Sequence, residues 1–392
     1  HEALDSLLKF IELERDLTRF PARVVARPYR NYFTTSEALL VKQFFQKVAS
    51  SQTWQQTEHY FSAANLELHD TAGGGTVAVA SQTEPSPAPP PVLVPATELK
   101  VVMFMSFPNS GTSFTTQLIR SATGFQTASN YATESHGTPV PVFQELPGGP
   151  FWTAGAEDLK LLPRGYLMTK THCGGYCMSC PPSQYAFTKI DAFLESCVTT
   201  IGASREEPRS QYNFALVHKV VHIFRDPFDN VVARFHLDYN QAAKRHETLG
   251  YPSNSSGFRK YCADLNAKYE AEEIASPSWS ESVKKVSKDV PCRADFFRYV
   301  QWHNYAVMMV DTHHLPSLIL HYENYISKLD SVLDTLLTFL ELKRDASRVP
   351  APFTPGHTYR GYYTDKEVAS LKEMFKLMAS PVVWSQVAHY FP

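Results

Sequence analysis

The chain has 392 residues, with 37 Lys and Arg against 39 Asp and Glu, and a formal net charge of -2. With 43% apolar residues it can bury the core of one large domain or two ordinary ones. The balanced charge excludes a bulk-electrostatic partner such as nucleic acid or an anionic membrane surface, and no apolar run approaches the ~18 residues that a membrane span needs.

The chain begins at His1, which points to a fragment of a longer product with any targeting segment removed. Its two ends resemble each other. Tyr29 to Phe61 aligns without gaps on Tyr359 to Phe391 with 14 identities in 33 pairs, and Leu4 to Asp16 matches Leu333 to Asp345 with 9 in 13. Residues 1–62 therefore read as a helical segment copying the C-terminal tail of the main domain, either the end of a neighbouring module in a tandem array or an accessory helical layer. The apolar spacing of Leu40, Val41, Phe44, Phe45 and Val48 requires burial in both cases. Residues 63–97 carry Gly73-Gly74-Gly75 and then Pro85, Pro87, Pro89, Pro90, Pro91 and Pro95, the composition of a semi-rigid linker or of an ordered surface strap.

From residue 98 to 392 strand and helix alternate. Leu99 to Met105 is a short apolar run suited to a buried parallel strand, and Thr112 to Ser121 has helical spacing. Val217 to Phe224 and Ser317 to His321 are further strands, with a helix over Asp229 to Tyr239 between them. This order predicts an α/β domain, a parallel β-sheet flanked by helices, with an N-terminal helical extension.

Six cysteines are present, three of them clustered as Cys173, Cys177 and Cys180 beside His172. Disulfides, a zinc site and free thiols are all open readings. Disulfides and the sequon at Asn254-Ser255-Ser256, in a Ser/Gly/Pro-rich loop, favour the Golgi lumen or another secretory compartment over the cytoplasm.

The first strand leads into Ser106-Phe107-Pro108-Asn109-Ser110-Gly111-Thr112-Ser113-Phe114. A Pro, a Gly and hydroxyl side chains before a helix N-terminus can turn backbone N–H groups toward an anion. The Lys of a nucleotide-kinase phosphate loop is missing, which disfavours phosphoryl transfer. This loop resembles the 5′-phosphosulfate loop (Pro-x-Ser-Gly-Thr-Thr-Trp) of sulfotransferases that use 3′-phosphoadenosine 5′-phosphosulfate (PAPS). His222 to Phe235, with Arg225-Asp226-Pro227, resembles the 3′-phosphate segment of that family.

The resemblance implies a P-loop-like sulfotransferase fold that takes PAPS as donor, releases 3′-phosphoadenosine 5′-phosphate (PAP) and needs no metal. The loop Pro108 to Phe114 would hold the 5′-phosphate and sulfuryl group, and Arg225 would grip the 3′-phosphate. The family's serine falls on Ala233, with Arg234 beside it as a substitute. Lys170-Thr171-His172 resembles the stretch whose histidine is the catalytic base, although a His after an apolar strand is also a common structural feature. Arg360 and Gly361 sit where the family has an Arg-x-Gly loop over the nucleotide, with Gly361 permitting close backbone approach. Tyr322-Glu323 matches a structural strand end. Asn109 replaces the family's Lys at the leaving oxygen, so Lys170 or loop N–H groups would carry more of that charge. The partner implied is an acceptor with a free hydroxyl, a carbohydrate or a small-molecule or lipid alcohol, with neighbouring modules of the same polypeptide beside it. The competing reading is a degenerate module that binds nucleotide or glycan without catalysis.

Overall fold

The computed structural model describes residues 100–134, 139–142, 152–154, 161–175, 182–185, 189–202, 209–244 and 250–391. All belong to the second of two units, 88–392, into which the chain divides. The terminal copy, the linker, Cys177 and Cys180 lie outside the described residues.

A seven-stranded sheet organises the domain: β1 (Lys100–Ser106), β2 (Ala128–Ser129), β3 (Pro139–Pro141), β4 (Trp152–Ala154), β5 (Tyr166–Thr171), β6 (Val217–Phe224) and β7 (Ser317–His321), in the order β3-β4-β2-β5-β1-β6-β7. The five strands from β2 to β7 in that order run parallel, while β3 and β4 add an antiparallel edge. β1 is central, with Met105 opposite Thr171 of β5 and His222 of β6. The carboxyl ends of these strands therefore emerge side by side, where open α/β sheets bind ligands.

Val101 to Met105 are fully buried because both faces of β1 are covered. Val101, Met103 and Met105 pack on the side of α3 (Pro227–Lys244), α5 (Arg293–Thr312) and α7 (Asp365–Met378). Val102 and Phe104 pack on the side of α1 (Thr112–Thr123) and α6 (Leu329–Phe339). Period-two alternation thus splits the core into two layers.

β1 is displaced by one residue from its expected span, α1 extends two residues beyond Ser121, and β6 and β7 have their expected bounds. α3 starts two residues before Asp229, because the Asp226 carboxylate accepts the Phe228 N–H at 2.8 Å and Pro227 suits a first helical position. Glu323, after β7, accepts the Asp226 N–H at 2.8 Å and the Tyr390 hydroxyl at 2.5 Å, joining strand end, helix start and C-terminal tail. This is the structural part expected of that strand end.

Two disulfides are described, Cys173–Cys197 and Cys262–Cys292. Cys173 therefore pairs outside its cluster, with α2 (Ile190–Val198), and its sulfur cannot serve as the thiolate of a zinc site with His172. Asn254 stands at the start of α4 (Ser255–Ala275) rather than in a loop: it is exposed, and its side-chain oxygen accepts the Gly257 N–H at 3.0 Å.

Candidate functional site

The loop after β1 is held from below by α3. Asn230 Nδ2 donates to the Pro108 carbonyl at 2.9 Å and lies 3.2 Å from Ser110 Oγ. Asn109 (φ 65°) and Gly111 (φ 93°) both take left-handed backbone conformations on either side of Ser110. A Cβ on Gly111 would lie 2.4 Å from the Tyr322 ring, so dihedral and space both demand glycine. The first intrahelical bond runs from the Thr115 N–H to the Gly111 carbonyl at 3.1 Å, which leaves the first-turn N–H groups over Thr112 to Phe114 without intrahelical acceptors. No acidic residue occupies that turn. Ser110 and Thr112 are buried and Ser113 is exposed.

Arg225 follows β6 and reaches this loop directly. Its Nη1 donates to the Asn109 carbonyl at 2.5 Å, and its guanidinium lies 4.6 Å from the centre of the Tyr322 ring. The C-terminal segment closes from the other side: the Tyr359 N–H donates to Asp229 Oδ1 at 2.6 Å, and the Arg360 guanidinium lies 4.2 Å from the Phe228 ring centre. Asn109 Nδ2, Arg225 Nε and Arg360 Nη1 are all buried without a hydrogen-bond partner. Buried N–H groups normally find acceptors, and here three basic or amide donors on contiguous segments have none.

One expectation changes, that of Arg234 as a substitute for the hydroxyl missing at Ala233. Ala233 is half-buried and offers no hydroxyl. Arg234 cannot replace it, because it is 1% exposed and turned into the core, 3.5 Å from Asp295 and 4.8 Å from the Phe107 ring centre. Gly361 is exposed, and a Cβ there would meet no protein atom within 4 Å.

At the end of β5 the expected pair is joined by a third residue. Lys170 Nζ lies 2.9 Å from Glu134 Oε2, and His172 Nε2 lies 3.8 Å from Glu134 Oε1. His172 is 4% exposed, and its Nδ1 lies 2.9 Å from the Ser106 carbonyl. A carbonyl can only accept, so Nδ1 carries the proton and Nε2 holds the lone pair. Tyr131 stacks on the imidazole at 5.6 Å between centroids, and its hydroxyl accepts the His172 N–H at 2.8 Å. Burial lowers the His172 pKa, against the raising effect of Glu134. Burial raises that of Glu134, but the neighbouring His172 imidazole and the Lys170 charge outweigh it and hold the carboxyl down at about 2. Lys170 is thus paired with a carboxylate.

Glu134 and Tyr131 were not among the residues the motifs indicated. They sit on a short turn after β2, where no pattern announces them; the one available signal is a carboxylate following a Ser-Asn-Tyr run. Ser113, Glu134 and Lys170 share the lining of a cleft of about 990 Å³ with Trp152, Arg120 and Arg348. The last residue of the bend and the Lys170–Glu134 pair therefore open onto one space, with His172 behind Glu134 and outside the lining.

No protein-family model and no curated protein matches the chain. Among solved structures it is similar to mouse sulfotransferase SULT7A1 complexed with PAP, at 14% identity over 71% of this chain and 84% of that chain, with a TM-score of 0.32. It is also similar to a sulfotransferase from Alicyclobacillus acidocaldarius, at 12% identity over 73% of this chain and 99% of that chain, with a TM-score of 0.33.

Proposed function

We propose that the chain is a sulfotransferase moving a sulfuryl group from PAPS to an acceptor hydroxyl. The observation that carries this reading is the meeting of two anion-receptive places at the ends of adjacent strands. One is the bend from Asn109 to Ser113; the other is Arg225, bonded to it through the Asn109 carbonyl at 2.5 Å. A nucleotide with a phosphosulfate at one end of its ribose and a phosphate on the other would supply the acceptors that Asn109 Nδ2, Arg225 Nε and Arg360 Nη1 lack.

In this mechanism the bridging S–O bond to the 5′-phosphate breaks as the acceptor oxygen bonds to sulfur. The acceptor proton passes to His172 Nε2, and PAP leaves. Loop N–H groups and Ser113 hold the sulfuryl oxygens, while Asn109 Nδ2 donates to the departing oxygen. The Glu134 carboxylate faces the imidazole and stabilises the imidazolium. Two disulfides fit an oxidising compartment, which we take to be the secretory lumen. No helix of the described residues is long and apolar enough to cross a membrane.

Isothermal titration with PAP, paired with labelled-sulfate transfer to a mixed acceptor panel, tests the proposal. Wild type should bind PAP and transfer sulfate. Arg225→Ala should weaken PAP about 100-fold, the loss of a charge-assisted pair. Unchanged affinity in Arg225→Ala removes the 3′-phosphate assignment. Binding without transfer to any acceptor favours the degenerate module, for which Ala233 and Asn109 speak.

A further inference from the structure

The cleft beside the base cluster has a composition that specifies what enters it. One face of α1 forms its wall through Ser113, Thr116, Gln117, Arg120 and Ser121, positions spaced by three and four residues as a helical stripe requires. The opposite wall comes from β2 and β4, including Ser129 and Trp152. Hydroxyl and amide groups dominate, so a hydrophobic alcohol would find little to bury against. Trp152 is 6% exposed, and its Nε1 is buried without a hydrogen-bond partner.

Charge divides the cleft into two ends. At the reactive end Lys170 and Glu134 neutralise each other at 2.9 Å. At the far end stand Arg120 and Arg348, the latter with its guanidinium within 2.9 Å of where a Gly124 Cβ would be. Arg348 meets Asp345 at 3.2 Å, but both side chains are more than 40% exposed, and such pairs hold little energy. Seven residues separate Ser113 from Arg120, a rise of about 10 Å along the helix. A ligand whose hydroxyl lies beside Glu134, itself 3.8 Å from His172 Nε2, would therefore present a negative group one short oligomer away.

From this we infer that the acceptor is an acidic oligosaccharide. Its reacting hydroxyl lies at the Lys170 end, its sugar rings lie along the polar stripe of α1 with Trp152 donating to a ring hydroxyl, and a carboxylate or sulfate is held by Arg120 and Arg348. The inference rests on the sulfotransferase reading above and adds the acceptor class. The transferred sulfuryl group forms its new S–O bond to a sugar hydroxyl, whose proton goes to His172.

The test uses the full chain saturated with PAP and two probes: an unsulfated hexasaccharide of alternating glucuronic acid and N-acetylglucosamine, and the same hexasaccharide with its carboxyls reduced. The acidic probe should bind and, with PAPS, accept sulfate; the reduced probe should bind at least about 10-fold more weakly. The double variant Arg120→Ala/Arg348→Ala should lose about 10- to 100-fold for the acidic probe, with PAP affinity unchanged. Arg120→Gln alone, which leaves the Arg348 packing intact, should show part of that loss if the double variant does not fold. Equal affinity for both probes, insensitivity to the Arg120 change, or transfer to a tyrosine peptide but neither sugar overturns the acceptor assignment while PAP binding stands. Absence of PAP binding in wild type overturns the donor reading, and the acceptor assignment with it.

Discussion

At the scale of single residues the site is built on two protonation choices. The Ser106 carbonyl fixes the His172 proton on Nδ1, and burial lowers the imidazole pKa below 6.5. The base works in its neutral form, so the acidic limb of the transfer rate should fall below pH 6.5. Glu134 raises the His172 pKa; Glu134→Gln should therefore push that limb to still lower pH and reduce kcat, and a limb that rises or stays put contradicts the pairing. The same carboxyl ties stability to pH. Its native pKa of about 2 lies below 4.5, so its contribution is present in full above pH 4.5 and is lost as pH falls toward 2. Chemical denaturation across that window should cost wild type about 3 kcal/mol more than Glu134→Gln, since each pKa unit corresponds to about 1.4 kcal/mol. His172, Lys170 and Arg225 were legible because each stands beside a recognisable strand end. Glu134 was not, since a carboxylate on an isolated turn has no periodicity to mark it, and only the folded sheet brings it to Lys170.

Among elements, the loop after β1 depends on one glycine. Gly111→Ala must hold φ near 93° and displace a ring at 2.4 Å. It should cost about 1–3 kcal/mol in denaturant and weaken PAP binding together, because the Tyr322 ring that would move also supports Arg225. A variant as stable as wild type with normal PAP affinity would show that Tyr322 does not link the two segments. The longer strands were readable from sequence because a parallel strand covered on both faces is a continuous apolar run. β6, buried from Val220 to Phe224, has the expected bounds for that reason, whereas β7, a half-exposed edge strand, was marked by its short apolar run after Pro316. β2, β3 and β4 have only two or three residues each, too few for a period-two pattern, so the cleft wall that β2 and β4 form was hidden. The extended start of α3 came from a cap, Asp226 before Pro227, which apolar spacing does not record.

For the whole molecule, the sheet supplies the frame; Cys173–Cys197 ties α2 to the end of β5, and the second disulfide ties helix to helix. Cys262–Cys292 links α4 to the start of α5 across a separation of 30 residues. Replacing both cysteines by Ala should lower unfolding free energy by about 3–4 kcal/mol on a chain-entropy basis and leave PAP affinity unchanged. Removing Cys173–Cys197 should instead affect sulfate transfer, since Cys173 directly follows His172. Cysteine spacing did not reveal either partner, because pairing across 24 or 30 residues is decided by which helices pack together. The most direct test of the donor site is a crystal structure with PAP bound. The 5′-phosphate should accept hydrogen bonds from the backbone of Ser110 to Ser113, and the 3′-phosphate should sit on Arg225 with Arg360 at its edge. A nucleotide lying elsewhere, or one whose 3′-phosphate leaves Arg225 untouched, would contradict it.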